Sequence, residues 1–262
     1  MHRAHLTHLL LGACALAMLG CKGEPPIDAY TEKKILILGN STEPQGLDPQ
    51  IVTGVIESNI IRALFEGLCV EHPSKQGVHL PGAAASWQAN DDFTEWTFQL
   101  RKDGQWSDGT PLTAEDFLFS YQRILHPDFG AEYAGMLYYI QGAESYNKGE
   151  ATDFSSVGIS APDPYTLKIK LKASIPFLPD LTKHYTWYPV PKHIILKHGT
   201  IDQRNTPWTE PENIVSNGPF VLKQWRLNDY IHAEKNANYW DKDTVKLKGI
   251  RFLPISNQYT EA

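Results

Sequence analysis

The chain has 262 residues, 42% hydrophobic and 21% charged, a balance that suits a globular fold with a sizeable core. Its formal charge is −6, with 24 Lys and Arg against 30 Asp and Glu and no basic block, which argues against nucleic acid as a partner. Its 18 prolines and 19 glycines point to many turns rather than a helical bundle, and seven Trp with 12 Tyr supply aromatic surface for a core or a ligand cleft.

His2, Arg3 and His5 give the start a weak positive charge, and an apolar run follows from Leu9 to Leu19. That run is too short to stay in a bilayer as a helix, so residues 1–20 read as an export signal. Ala17-Met18-Leu19-Gly20-Cys21 resembles a bacterial lipobox, which implies that Cys21 is acylated; Leu11-Gly12-Ala13-Cys14 is the alternative site. Residues 21–29 then form a polar tether. An exported, periplasmic or cell-envelope protein is expected, held to the membrane by lipid alone. With Cys21 acylated, only Cys69 would remain as a free thiol, so no internal disulfide can form, and its neighbours Leu68 and Val70 make it a small buried apolar residue.

Lys33 to Gly39 (KKILILG) predicts a buried strand, followed by a polar loop over 40–49. Apolar residues from Val55 to Leu68 recur at helical spacing, with Gly67 as the terminator. Trp96, Phe98 and Leu100 alternate with polar neighbours, predicting a half-buried strand. Ser107-Asp108-Gly109 is a turn signal, and Thr113-Ala114-Glu115-Asp116 a capping box opening a helix that carries Phe117, Leu118, Tyr121, Ile124 and Leu125 on one side. A further helix is predicted over 133–146. Strands are predicted at 165–172, 220–224, 230–234 and 245–253. Strands and helices interleave without a regular repeat, which indicates an α/β or α+β chain.

Catalytic constellations are not apparent in this sequence. Asp91, Asp92 and Glu95 precede a strand in a way that suits a solvated turn, not a pair of hydrolytic carboxylates. His193 and His198 lack a cysteine or paired carboxylate to complete a metal site. Nucleophile-elbow, phosphate-loop and zinc-helix motifs are missing as well. The expectation is a binding protein, not an enzyme, with no cofactor and no metal.

SNIIRALFEG (58–67), AASW (84–87), WTFQLRKDGQWSDGTPLTAEDF (96–117), NIVSNGPF (213–220) and Asn238-Tyr239-Trp240 occur in an order and spacing that resemble the extracellular solute-binding proteins of family 5, close to bacterial oligopeptide-binding proteins. The resemblance covers nearly all of residues 33–262. It implies an α/β class II periplasmic-binding-protein fold, first lobe only, built of two subdomains, with the second lobe missing after Ala262. Residues 30–65 and 189–262 would form the core subdomain and 66–188 an inserted one. A monomer that binds an oligopeptide ligand and delivers it to the permease subunits of an ATP-driven (ABC) importer is implied. The alternatives are another solute (a dipeptide, a nickel complex or haem) and a non-transporting peptide sensor or chaperone.

Most signature residues have structural explanations. The resemblance assigns ligand contact to Thr53, Gly54 and Val55, where relatives pair backbone with an extended peptide, and to Tyr133, which would close over it. The competing explanation for Tyr133 is packing beside Tyr138 and Tyr139. Thr53 stands where relatives carry a carboxylate, which puts a preference for a cationic peptide side chain there in question.

Anchoring is testable directly. Each buried methylene of an acyl chain contributes about 0.8 kcal/mol, so Cys21→Ser is expected to leave the membrane fraction. Radiolabelled lipid still carried by the variant would move the assignment to Cys14.

Overall fold

The computed structural model describes residues 27–255; the expected leader and both candidate acylation sites lie outside them. In chain order, α1 (Ile27–Glu32) and β1 (Ile35–Gly39) lead through a loop to α2 (Val55–Leu64). Strands β2 (Cys69–Glu71), β3 (His79–Pro81), β4 (Ala84–Ala89) and β5 (Glu95–Leu100) precede α3 (Ala114–Leu125). Then come α4 (Ala143–Asn147), β6 (Ile159–Asp163), β7 (Thr166–Lys170), α5 (Leu178–Leu181) and α6 (Lys192–His198). The described chain closes with β8 (Phe220–Arg226), β9 (Tyr230–Lys235) and β10 (Gly249–Leu253).

Two four-stranded sheets organise these elements. The first has the order β1-β10-β9-β8, with β1 parallel to β10 and the other pairs antiparallel, so early and late segments of the chain share one sheet. The second, β4-β5-β7-β6, is antiparallel throughout and sets Trp96 opposite Ile169 and Phe98 opposite Leu167. Alternation explains β5: Trp96, Phe98 and Leu100 are buried and Gln99 faces out. Helix α3 lies against β6 and β7, and its apolar residues at spacings of three and four enter the core. The Asp116 carboxylate accepts from the Thr113 backbone N–H at 2.9 Å, closing the expected cap. One continuous hydrophobic cluster joins both sheets, with Trp106, Trp187 and Trp208 fully enclosed.

Three expectations need correction. Strand β1 is an edge strand whose Leu36 and Leu38 are 39% and 38% exposed, so it is not buried on both faces. Helix α2 stops at Leu64, where the Phe65 N–H closes on the Ile61 carbonyl; Gly67 lies beyond it, packed so tightly on the Thr182 carbonyl that no side chain would fit. The helix expected over 133–146 is broken. A 3-10 turn (Ala134–Leu137) ends it, Ile140 bridges to Leu171, and Gly142 turns left-handed at φ 75° before α4. Bridging to the second sheet satisfies backbone groups that a continuous helix would have used.

The scattered signature segments meet around Glu66. Its carboxylate accepts from the Tyr239 hydroxyl and from Trp240 Nε1 at 2.8 Å. Its backbone N–H and carbonyl exchange hydrogen bonds with the Asn217 amide at 3.1 and 2.8 Å. The Arg101 guanidinium lies 3.3 Å over the Trp240 ring. Asn238 donates to the Ser107 carbonyl at 3.0 Å, and the Ser107 and Ser216 backbones are hydrogen-bonded at 2.8 Å.

Burial pushes the Glu66 carboxyl from 4.5 up to about 7, against the hydrogen bonds from Tyr239 and Trp240 and the charge of Arg101. A raised value in the folded chain means that native Glu66 keeps a proton the unfolded chain has already released. Its stabilising contribution is therefore complete below pH 4.5 and lost as pH rises through 7. At about 1.4 kcal/mol per tenfold change in proton affinity, the loss approaches about 3 kcal/mol. Urea denaturation at pH 4.5 and pH 8 should show the wild type losing more stability than Glu66→Gln by about that amount; equal losses would contradict the assignment.

Candidate functional site

The loop between β1 and α2 ends in three open residues. Thr53 and Val55 are exposed, the latter at 77%, and Gly54 between them is extended (φ −87°, ψ 154°) as the N-cap of α2. A Cβ at Gly54 would stand 2.0 Å from Glu57 Oε2, because the Glu57 carboxylate folds back over Gly54, so a side chain there would displace that carboxylate. Glu57 Oε1 accepts from the Gln45 N–H at 2.9 Å, and the positive end of α2 favours the acid in its first turn. Asn40 fixes the other side of the loop, donating to the Ile56 carbonyl at 3.1 Å and accepting from Asn59 at 3.0 Å.

Tyr133 reaches this loop from 80 residues away. Its hydroxyl donates to the Thr53 carbonyl at 3.3 Å, while its ring stays 36% exposed. Thr53, Gly54, Val55 and Tyr133 thus come together in space. Tyr133 is not packed in the way the competing explanation required: Tyr138 donates to Asn147 and Tyr139 meets Phe177 edge-on, whereas Tyr133 lies 6.5 Å from Tyr185 and 6.1 Å from His184. Tyr185 donates to the Val52 carbonyl at 3.3 Å and stacks on His184 at 4.3 Å. Burial pushes the Tyr185 phenol up to about 12 and the His184 imidazole below its ordinary value. Both rings are therefore neutral near pH 7. Sequence reasoning missed Tyr185 and Glu57; the run of aromatics from Tyr185 to Tyr188 was the available signal.

Behind the loop, Asp48 is held by a buried network. Arg123 Nη1 and Nη2 donate to the two Asp48 carboxylate oxygens at 3.1 and 2.7 Å, and Nη1 also donates to Gln50 Oε1 at 2.7 Å. Trp208 Nε1 donates to Asp48 at 3.2 Å, and the guanidinium lies 4.2 Å over Phe129. An open cavity of about 520 Å³ adjoins the loop, with Leu47, Val52, Thr53, Gly54, Glu57 and Trp208 in its walls and Glu132, Arg204, Thr206, Glu210 and Trp225 opposite or beside them. Such a volume suits a ligand group.

The remaining reactive candidates have structural roles. Cys69 is buried and its thiol is pushed up to about 11 by desolvation, the reverse of an activated thiolate. His193 pairs with Asp108 at 2.8 Å. Asp92 accepts from the Thr94 hydroxyl at 2.6 Å in an exposed turn, which holds it below the usual carboxylate range.

Comparison with known proteins is concordant. The family described as Bacterial extracellular solute-binding proteins, family 5 Middle, matches residues 80–262. The periplasmic oligopeptide-binding protein OppA of Escherichia coli (strain K12) is 39% identical over 258 residues, covering 98% of this chain and 45% of the relative. The probable deoxycholate-binding periplasmic protein YgiS of the same organism is 35% identical over 253 residues, 96% of this chain and 46% of the relative. The crystal structure of Haemophilus influenzae OppA in complex with RPPGFSPFR superposes with a TM-score of 0.81 at 35% identity, over 87% of this chain and 43% of that one. The chain thus spans less than half the length of the relatives it matches. Its described residues form one lobe of their α/β class II periplasmic-binding-protein fold.

The anchoring of the loop is open to test. Removing one partner of a buried ion pair strands the other, at about 3–5 kcal/mol. Arg123→Met is therefore expected to lower unfolding free energy by that amount in urea denaturation. A loss under about 1 kcal/mol would mean that Asp48 finds another partner.

Proposed function

Because the chain belongs to the bacterial extracellular solute-binding proteins of family 5, we propose that it supplies one wall of a cleft that captures extended oligopeptides outside the cytoplasmic membrane for delivery to an ATP-driven permease. The observation that carries this reading is the extended backbone at Gly54, between the exposed Thr53 and Val55 and overhung by Tyr133. Every peptide offers main-chain donors and acceptors, so a wall that pairs with backbone gains affinity without strict sequence choice. Tyr133 gives that wall aromatic surface against which varied side chains can pack, with the buried Tyr185 ring behind it. The wall is assigned to two subdomains, 30–65 with 189–262 and an inserted 66–188, because the first sheet draws its strands only from the outer segments and the second only from the insert. Export and lipid attachment through Cys21 belong to the same reading and keep the binder beside its membrane partner.

A second reading, capture of another solute, is favoured by the 35% identity to a relative described as probably deoxycholate-binding, close to the 39% shared with an oligopeptide binder. Native mass spectrometry of ligand released from the purified chain separates the two. A set of peptide masses supports the first reading, and a single non-peptide mass replaces it with the second.

The role of Tyr133 has its own test. One wall leaves much of a peptide in water, so a mixed tri- to pentapeptide pool should bind this chain near the millimolar range, worth about 4 kcal/mol, in an NMR titration. Tyr133→Ala is expected to weaken that binding about 3- to 10-fold, the worth of one aromatic contact. Its melting temperature should hardly move, because truncating an aromatic that packs the core would cost about 3–5 kcal/mol. A large fall in melting temperature with unchanged affinity would make Tyr133 a packing residue.

A further inference from the structure

Away from the wall, three metal-ligating side chains from two distant segments converge. His126 caps the 3-10 turn Pro127–Phe129 that follows α3, Asp128 lies within that turn, and Asp202 lies beyond α6. One ligand atom from each is within 4.8 Å of the other two. His126 and Asp202 are half-buried and Asp128 is exposed. The two segments are held together independently of the trio, because Arg204 Nη1 donates to the Phe129 and Gly130 carbonyls at 3.3 and 2.9 Å.

The three side chains keep their ligand atoms free. Among the described residues no ion pair joins the His126 ring to either carboxylate, and no hydrogen bond or ion pair engages the Asp128 carboxylate. Asp202 accepts from the Thr200 hydroxyl through Oδ1 at 2.6 Å, which leaves Oδ2 open. His126 meets the Asp128 N–H through Nδ1 at 3.3 Å, long for such a bond, so either ring nitrogen is available to a metal. Two carboxylates this close repel each other, and a dication between them reverses the sign of that interaction.

Size and donor chemistry narrow the ion. Bonds from imidazole nitrogen and carboxylate oxygen to zinc are about 2.0–2.2 Å, so ligand atoms around it stand about 3–4 Å apart. Closing from 4.8 Å to that range takes side-chain rotation, which the exposed Asp128 allows. An imidazole with two carboxylates suits a first-row transition ion, whereas magnesium and calcium prefer an all-oxygen shell. The spacing argument that disfavours a metal at His193 and His198 does not reach this trio, whose third ligand comes from a distant segment.

We propose that His126, Asp128 and Asp202 form a binding site for a divalent transition-metal ion such as zinc, with water completing its coordination. The ion staples the turn after α3, which leads on to Tyr133, to the segment after α6, beside the link that Arg204 already makes. Nothing in this site depends on what the wall captures.

Zinc chloride titrated into the chelator-stripped chain, followed by NMR and by thermal melting, tests the site. Zinc is expected to shift the His126, Asp128 and Asp202 signals in a saturable, one-to-one manner and to raise the melting temperature. Magnesium or calcium at the same concentration should do neither. Loss of a mere supporting group around a metal typically costs about 10–100-fold in affinity, so deleting a direct ligand by Asp128→Asn, Asp202→Asn or His126→Gln should weaken zinc at least about tenfold. The zinc-free Asp128→Asn and Asp202→Asn variants should melt no lower than the wild type, since each relieves the repulsion between the acids. Zinc shifts confined to other histidines, or Asp128→Asn binding zinc as tightly as the wild type, overturns the site. An equal response to calcium overturns the assignment to a transition ion.

Discussion

The Arg123 guanidinium, fully enclosed, meets the Asp48 carboxylate through both terminal nitrogens, and the loop that leads to Thr53 is suspended from that contact. Two charges withdrawn from water oppose folding unless each finds close partners, and here every terminal nitrogen of Arg123 is paired while its buried Nε is not. Gln50 accepts from the same guanidinium and donates to the Ser120 carbonyl; Ser120 in turn accepts from the Val190 N–H. Trp208 supplies a donor to Asp48, and Phe129 a ring face to Arg123. Loop, helix α3, the segment before α6 and the segment before β8 are thereby locked to one another. The wall on the outside is only as rigid as this network.

Glu66 plays the corresponding part at the opposite end of α2. Its partners Asn217, Tyr239 and Trp240 come from segments more than 150 positions away. Asn238 and Ser216 then hold the Ser107 turn, and Arg101 covers Trp240. The short signature segments of the sequence are thus one another's contacts. Each is a weak pattern alone because each supplies only part of a shared polar cluster. Together they fix how the two sheets meet and so where Tyr133 stands relative to Thr53.

That placement has a chemical consequence. The Tyr133 hydroxyl occupies the Thr53 carbonyl, an acceptor on the open backbone edge. The 3.3 Å contact is long for a hydroxyl donor and solvent reaches it, so an incoming N–H can replace it at small cost. The wall keeps its acceptor satisfied and its tyrosine positioned without committing either.

Local pattern was legible wherever a single segment carried its own instruction. Alternation at Trp96, Phe98 and Leu100, the cap at Thr113 and the periodic face of α3 all fold as their spacing dictates. Family membership was legible too, because the resemblance rests on recurring motifs. Contacts between distant segments were not. The stretch 133–146 looks helical, yet Ile140 leaves to bridge Leu171, since pairing with the second sheet satisfies its backbone better than another helical turn. The apolar run in β1 looks enclosed, yet its position at a sheet edge exposes Leu36 and Leu38. By itself the sequence determined the family and most of the elements, which depend on neighbours in the chain or on recurring motifs. Only the tertiary structure decided that Asp48 is neutralised while Glu57 is left with a free oxygen in a cavity beside it. The charge state of a carboxylate's surroundings depends on which distant groups the fold brings within a few ångströms, and no spacing along the chain encodes that.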